Sequence, residues 1–112
     1  MTYRQFDIVR VPFPFTDQTS EKNRPALVLS QSKTFNTPAG HSVMAMITSA
    51  ENPAWPMDHA IQDLAAAGLR SPSVVRCKLF TLDHRLVRGA LGKLGKKDQL
   101  AVRLMLGALL GT

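Results

Sequence analysis

Three apolar runs, each four to ten residues long, dominate the first fifty residues, and each is broken by proline or a polar loop. Runs this short, rich in valine and isoleucine and bounded by turn residues, read as strands and not as helices. Phe6 to Phe13 alternates, with Val9, Val11 and Phe13 on one face and Ile8 and Arg10 on the other. Pro12 and Pro14 end its pairing or confine it to a sheet edge, because proline donates no ladder hydrogen bond. After a polar loop, Thr16 to Asn23, the stretch Ala26 to Leu29 is continuously apolar, as in a strand buried on both faces. Gln31 to His41 reads as a second loop and Val43 to Thr48 as the third strand.

The second half continues the pattern. Asn52-Pro53 and Trp55-Pro56 make Ser49 to Met57 a loop. A short strand near Asp58 to Gln62 and a helical turn from Asp63 to Ala67, closed by Gly68, follow. Val74 to Leu82 is the longest strand, with Val75, Cys77, Leu79 and Thr81 opposite in parity to Arg76, Lys78 and Phe80. Leu86 to Leu94 holds a turn and a last short strand. Asp98 then caps or opens a helix running to about Leu110, with Leu100, Leu104, Ala108 and Ala101, Met105, Leu109 repeating every fourth residue. Val102, Leu106 and Leu110 add a third row, more apolar surface than one small barrel covers, so a second subunit is a candidate to bury the excess. At 112 residues the chain is expected to be a single domain, 1–112, mainly β: a small barrel with a C-terminal helix.

Composition narrows the function classes. From Arg70 onward nine basic residues face only Asp83 and Asp98, whereas the first 69 residues are nearly neutral, so a polyanion is the natural partner of the second half. One cysteine, Cys77, and three scattered histidines, His41, His59 and His84, supply no recognisable metal-ligand set. No cofactor or metal is expected. The longest apolar run, Leu104 to Leu110, is too short to span a bilayer, and the opening Met1 to Asp7 lacks the apolar segment of a signal peptide. A cytoplasmic protein without membrane association is the expectation.

Arg24 precedes Pro25, which restrains it to extended backbone and gives its guanidinium a defined origin. A planar, permanently charged fork of donors suits a phosphate; the alternative is an ion pair with Asp7, Asp17 or Glu21. Trp55, the single indole, is suited to stacking on an unpaired base, anchoring its own loop or binding a partner protein.

The ordered set Asp7-Ile8-Val9, Arg24-Pro25-Ala26-Leu27-Val28-Leu29-Ser30, an apolar strand ending Thr48-Ser49, Leu79-Phe80-Thr81-Leu82-Asp83 and Gly92-Lys93-Leu94 resembles the MazF/PemK family of toxin ribonucleases over nearly the whole chain. The resemblance implies an SH3-like β-barrel with a C-terminal helix, a homodimer, single-stranded RNA as substrate and a cognate antitoxin protein as partner. It implies catalytic roles for Arg24 and Thr48, with Glu21 the nearest acidic candidate for proton transfer and Lys22, Ser49, Arg76 and Lys78 in contact with RNA. It also implies metal-independent, sequence-selective cleavage in which the RNA 2′-OH attacks the adjacent phosphate. Cys77-Lys78 replaces the Asp-Gln pair of many members, which implies a different base selection. Two alternatives remain at this stage: a CcdB-like toxin that binds gyrase without cutting RNA, and a member that binds RNA without cleaving it.

Overall fold

A computed structural model describes residues 2–12 and 22–112. Six strands form one antiparallel sheet: β1 (Asp7–Pro12), β2 (Asn23–Val28), β3 (His41–Ser49), β4 (His59–Ala60), β5 (Ser73–Asp83) and β6 (Ala90–Lys93). Their spatial order is β4-β5-β3-β2-β1-β6, so the sheet curls into a half-barrel with β4 and β6 at its edges. Among the described residues three α-helices accompany it, α1 (Thr37–Ala39), α2 (Leu64–Ala67) and the long C-terminal α3 (Lys96–Leu110).

Both faces of the sheet are buried, which explains the unbroken apolar run at β2. On one face Ile8, Leu27, Ala45, Ile47 and Val75 pack against Leu94, Val102 and Met105, so α3 lies across this side. On the other, Val9, Val11, Ala26, Val28, Met44 and Met46 pack together with Phe80, Leu82 and Val87 along their margin. The period of two read from β1 thus assigns Ile8 and Val9 with Val11 correctly to two cores, while Phe13 and Pro14 lie outside the described residues. β1 is not an edge, however. β2 pairs with it from Ile8 to Pro12, and β6 pairs with Asp7, Ile8 and Val9. Pro12 lies beyond the last of these β6 pairs, where no donor is demanded.

Side-chain hydrogen bonds account for two departures from the expected elements. The stretch expected as a loop, Gln31 to His41, contains a π-helical turn, Ser32–Asn36, running into α1. Asn36 organises it: fully buried, it bonds Ser30 Oγ and donates to the carbonyls of Tyr3 and Ser30 at 2.8 and 2.9 Å. Asp98 is not the cap of α3, whose N-cap is Gly95 with no side-chain capping bond. It is 1% exposed and accepts from His59 Nε2 at 2.8 Å and from the backbone N–H groups of Gln62 and Asp63 at 2.9 and 3.0 Å, tying the helix to the β4–α2 connection. Burial alone would raise its pKa, but these donors outweigh it and hold the carboxyl below the ordinary value.

α2 forms as expected, with Asp63 Oδ1 accepting from Ala66 N and Gly68 closing it at φ 73°. A Cβ on Gly68 would stand 2.0 Å from the Leu91 carbonyl oxygen, and one on Gly92 would stand 2.5 Å from that of Ala66. Glycine at both positions is what lets α2 and β6 touch backbone to backbone.

Candidate active site

The register of β2 against β3 pairs Ala26 with Met46, Leu27 with Ala45 and Val28 with Met44. Continued two residues, it sets Arg24 beside Thr48. Both side chains share the parity of Ala26, Val28, Met44 and Met46, and so the same face of the sheet. There they line a cleft of about 190 Å³ with Ser49, Arg70, Ser71 and Ser73, where the ends of β2, β3 and β5 converge.

The two principal side chains are prepared differently. Arg24 is half-buried, and its buried Nε–H has no hydrogen-bond partner among the described residues. A buried donor without a partner is costly, on the order of 1–3 kcal/mol, and is characteristic of a group whose partner is a ligand. Thr48 is only 8% exposed, and its Oγ1 accepts from Asn52 Nδ2 at 2.6 Å. With Asn52 occupying a lone pair, the threonine proton is directed away from the amide and is free to donate. Ser49 Oγ accepts from Glu51 N at 3.2 Å, turning the chain into the loop that carries Asn52.

A larger cleft, about 470 Å³, lies at the opposite end of β3 beside Asn36, Gly40, His41, Asp83, His84 and Arg85. Its polar groups are engaged with one another. Arg85 forks onto Asp83, with Nη2 to Oδ2 at 2.7 Å, and His84 Nε2 lies 2.7 Å from Oγ of the fully buried Ser42. Burial, aided by nearby His41, depresses the His84 pKa, so the imidazole favours its neutral form. The polar groups of the larger cleft thus satisfy one another, whereas the smaller cleft holds a buried donor with no partner among the described residues.

The sequence profile of PemK-like, MazF-like toxins of type II toxin–antitoxin systems matches residues 4–110. The chain belongs to this family. Among solved structures it is similar to MazF from Deinococcus radiodurans, at 26% identity and a TM-score of 0.76, over 100% of this chain and 99% of that one. A MazE–MazF structure from the same organism gives 25% identity and a TM-score of 0.77 over the same shares. The Mycobacterium tuberculosis toxin MazF-mt6, at 21% identity and a TM-score of 0.71 over 94% of this chain and 96% of that one, shares the fold. No curated protein matches the chain.

Within this MazF-like frame the remaining candidates separate. Glu21 and Asp17 lie outside the described residues. Lys22 is exposed just ahead of β2, and Ser49 is exposed at the end of β3. Arg76 is not a free phosphate contact. It is 8% exposed, its Nε and Nη2 donate to Asp58 Oδ1 and Oδ2 at 3.1 and 2.9 Å, and Nη2 also donates to the Pro53 carbonyl at 2.8 Å. The parity argument gave Arg76 its correct face, but no local pattern signals a partner eighteen residues away. Lys78 is exposed, with Nζ 4.5 Å from the centre of the Trp55 ring. Cys77 packs against the α3-side core, and burial, then the Asp58 charge, push its thiol pKa up, which disfavours the nucleophilic thiolate.

Sequence reasoning passed over Asn52, Arg70 and Ser71 as site residues. Asn52 reads as turn chemistry, and Arg70 counts only as one of many cations. Among the described residues no three of His, Cys, Asp or Glu gather at one place, and no helix is long and apolar enough to cross a membrane.

Proposed function

We propose that this MazF/PemK-family toxin is an endoribonuclease that cleaves single-stranded RNA at selected sequences without a metal ion. The observation that carries the reading is one cleft lined by Arg24, whose Nε–H has no partner among the described residues, and by Thr48, with its hydroxyl oriented by Asn52. The substrate's 2′-oxygen attacks the adjacent phosphorus, the bond from phosphorus to the 5′-oxygen breaks, and a 2′,3′-cyclic phosphate and a 5′-hydroxyl result. The 2′-OH proton passes to a base, for which Glu21 is the candidate, and the leaving 5′-oxygen takes up a proton. Arg24 and Thr48 donate to the non-bridging oxygens as negative charge accumulates there, the term that fixed donors supply best. Arg70, exposed at the same cleft, adds charge for the flanking backbone.

The protein works as a homodimer in the cytoplasm. On α3 the outward Leu100, Leu104 and Leu110 are 60, 69 and 65% exposed, an apolar face suited to a second copy. A flexible acidic segment of a cognate antitoxin neutralises the basic surface and competes with RNA. The deciding experiment incubates a long unstructured RNA with purified protein in EDTA and identifies the ends by mass spectrometry. Cyclic phosphate and 5′-hydroxyl ends are expected, and deoxyribose on the 5′ side of the cut should abolish cleavage. Ends bearing 3′-hydroxyl and 5′-phosphate, or activity lost in EDTA, overturn the mechanism. Intact RNA throughout favours a toxin that acts through protein contacts alone.

A further inference from the structure

We propose that Trp55 and Lys78 form a subsite that stacks one unpaired base of the RNA next to the scissile phosphate, an inference that rests on the nuclease reading above. Trp55 is 42% exposed, and the groups set over its ring are cationic: Lys78 Nζ at 4.5 Å and the Arg76 guanidinium at 5.8 Å. An indole that merely anchored its loop would be expected to turn its face into the core. This one presents it beside two cations.

The platform is a hydrogen-bonded turn. Trp55-Pro56-Met57-Asp58 is a tight turn closed twice, by Asp58 N donating to the Trp55 carbonyl at 3.2 Å and by Trp55 N donating to Asp58 Oδ2 at 3.0 Å. Met57 sits at φ 66°, a conformation that costs a non-glycine residue energy and persists only where the surroundings enforce it. The enforcing group is Arg76, whose fork grips the Asp58 carboxylate while its Nη2 holds the Pro53 carbonyl. Asn52, next to Pro53, holds the Thr48 hydroxyl. Two sets of hydrogen bonds, joined through the Asn52–Pro53 peptide bond, thus link the base platform to the cleft.

The spacing fits a nucleotide neighbouring the cut. Thr48 pairs with Val74 across the β3–β5 ladder, and Lys78 stands four residues further along β5. At about 3.3 Å per residue that is roughly 13 Å, shortened by the bulge at Cys77-Lys78. RNA is the favoured occupant because it brings both a phosphate for Lys78 and a π-face for Trp55. An acidic peptide would use the cations and leave the indole idle.

Trp55 is the only tryptophan in the chain, so its fluorescence reports on this position alone. Titration with a mixed-sequence 2′-O-methyl oligoribonucleotide, which cannot be cut, should quench the emission in step with binding measured by anisotropy of a labelled copy. Trp55→Leu, whose fold is checked by circular dichroism, should bind roughly 5- to 150-fold more weakly, and Trp55→Phe should retain most of the affinity. Sequencing the ends cut from a long RNA should show that Trp55→Leu relaxes the preference at one position beside the cut while the end chemistry stays the same. Saturable binding without quenching, or a Trp55→Leu protein with unchanged affinity and unchanged cut sites, overturns the subsite while the nuclease reading stands. Quenching by an acidic peptide but not by RNA overturns it too. RNA that is neither bound nor cut overturns both.

Discussion

Arg24→Met should separate stability from catalysis in opposite directions. The arginine Nε–H is buried with no partner among the described residues, and such a donor costs the folded protein on the order of 1–3 kcal/mol. Methionine keeps an unbranched stem of similar reach and removes the donor and the charge. Unfolding by urea should therefore give a stability equal to wild type or higher by about 1 kcal/mol, which corresponds to a rise of roughly 3–6 °C in Tm for a domain of this size. Single-turnover cleavage of RNA should fall by about 10²–10³, the usual loss when one fixed transition-state donor is removed. Arg24→Lys should recover little, because an ammonium keeps the charge without the planar fork. Cleavage by Arg24→Met within a few-fold of wild type would refute the catalytic placement. So would a parallel loss of stability and activity, since that would make Arg24 a structural residue whose partner is internal.

Asn52→Ala should lower kcat more than it raises KM, by about tenfold, because it frees the Thr48 hydroxyl to rotate without removing it; stopped-flow cleavage measures the split. Leu104→Glu on α3 should shift light scattering from twice the 12.3 kDa chain mass to once, with the far-ultraviolet circular dichroism unchanged, because Leu104 is 69% exposed and packs no core. The Asp98 carboxyl titrates below its unfolded value, so its contribution to stability is complete above about pH 4 and declines as pH falls through the depressed folded value. Asp98→Asn should accordingly flatten the stability profile on the acid side and lose about 2–4 kcal/mol at neutral pH, as measured by urea unfolding at several pH values.

The strands were legible because both sheet faces are buried and each residue's face follows from a period of two; Ile8 against Val9 and Val11 is the clearest case. The turn at Asp63 and Gly68 was legible because cap chemistry is local. What escaped was set by side chains meeting across distance. Asn36 reads as a loop residue, yet its amide, reaching back to Tyr3 and Ser30, winds the preceding residues into a π-turn. Asp98 has a capping residue's chemistry but spends it on the connection after β4, 35 and 36 residues away. On α3 the repeat of four identified Leu100 and Leu104 as a row but could not rank it against Val102 and Met105, which the core took. At the site, Arg24 and Thr48 stood out through the resemblance, whereas Asn52 became visible only once the register of β2 and β3 placed the end of β3 in a cleft.

The sheet divides its labour by face, and that division explains how a domain of this size supports a candidate site with a buried donor that has no partner among the described residues. The α3 side holds Ile8, Leu27, Ile47, Leu94, Val102 and Met105, and Asp98 locks the helix that covers it. The opposite side carries Arg24 and Thr48 near strand ends and Arg76 within β5 opposite Met46, beyond the apolar packing of Met44 and Met46. Burial on the helix side offsets the energy withheld on the other, where a donor lacks a partner among the described residues and Met57 is held at positive φ. Substitutions that deepen the α3-side core should therefore raise stability while leaving the proposed cleavage unchanged. Substitutions that relieve the second side, such as glycine at Met57, stabilise the free protein while loosening the loop that links Trp55 to Thr48.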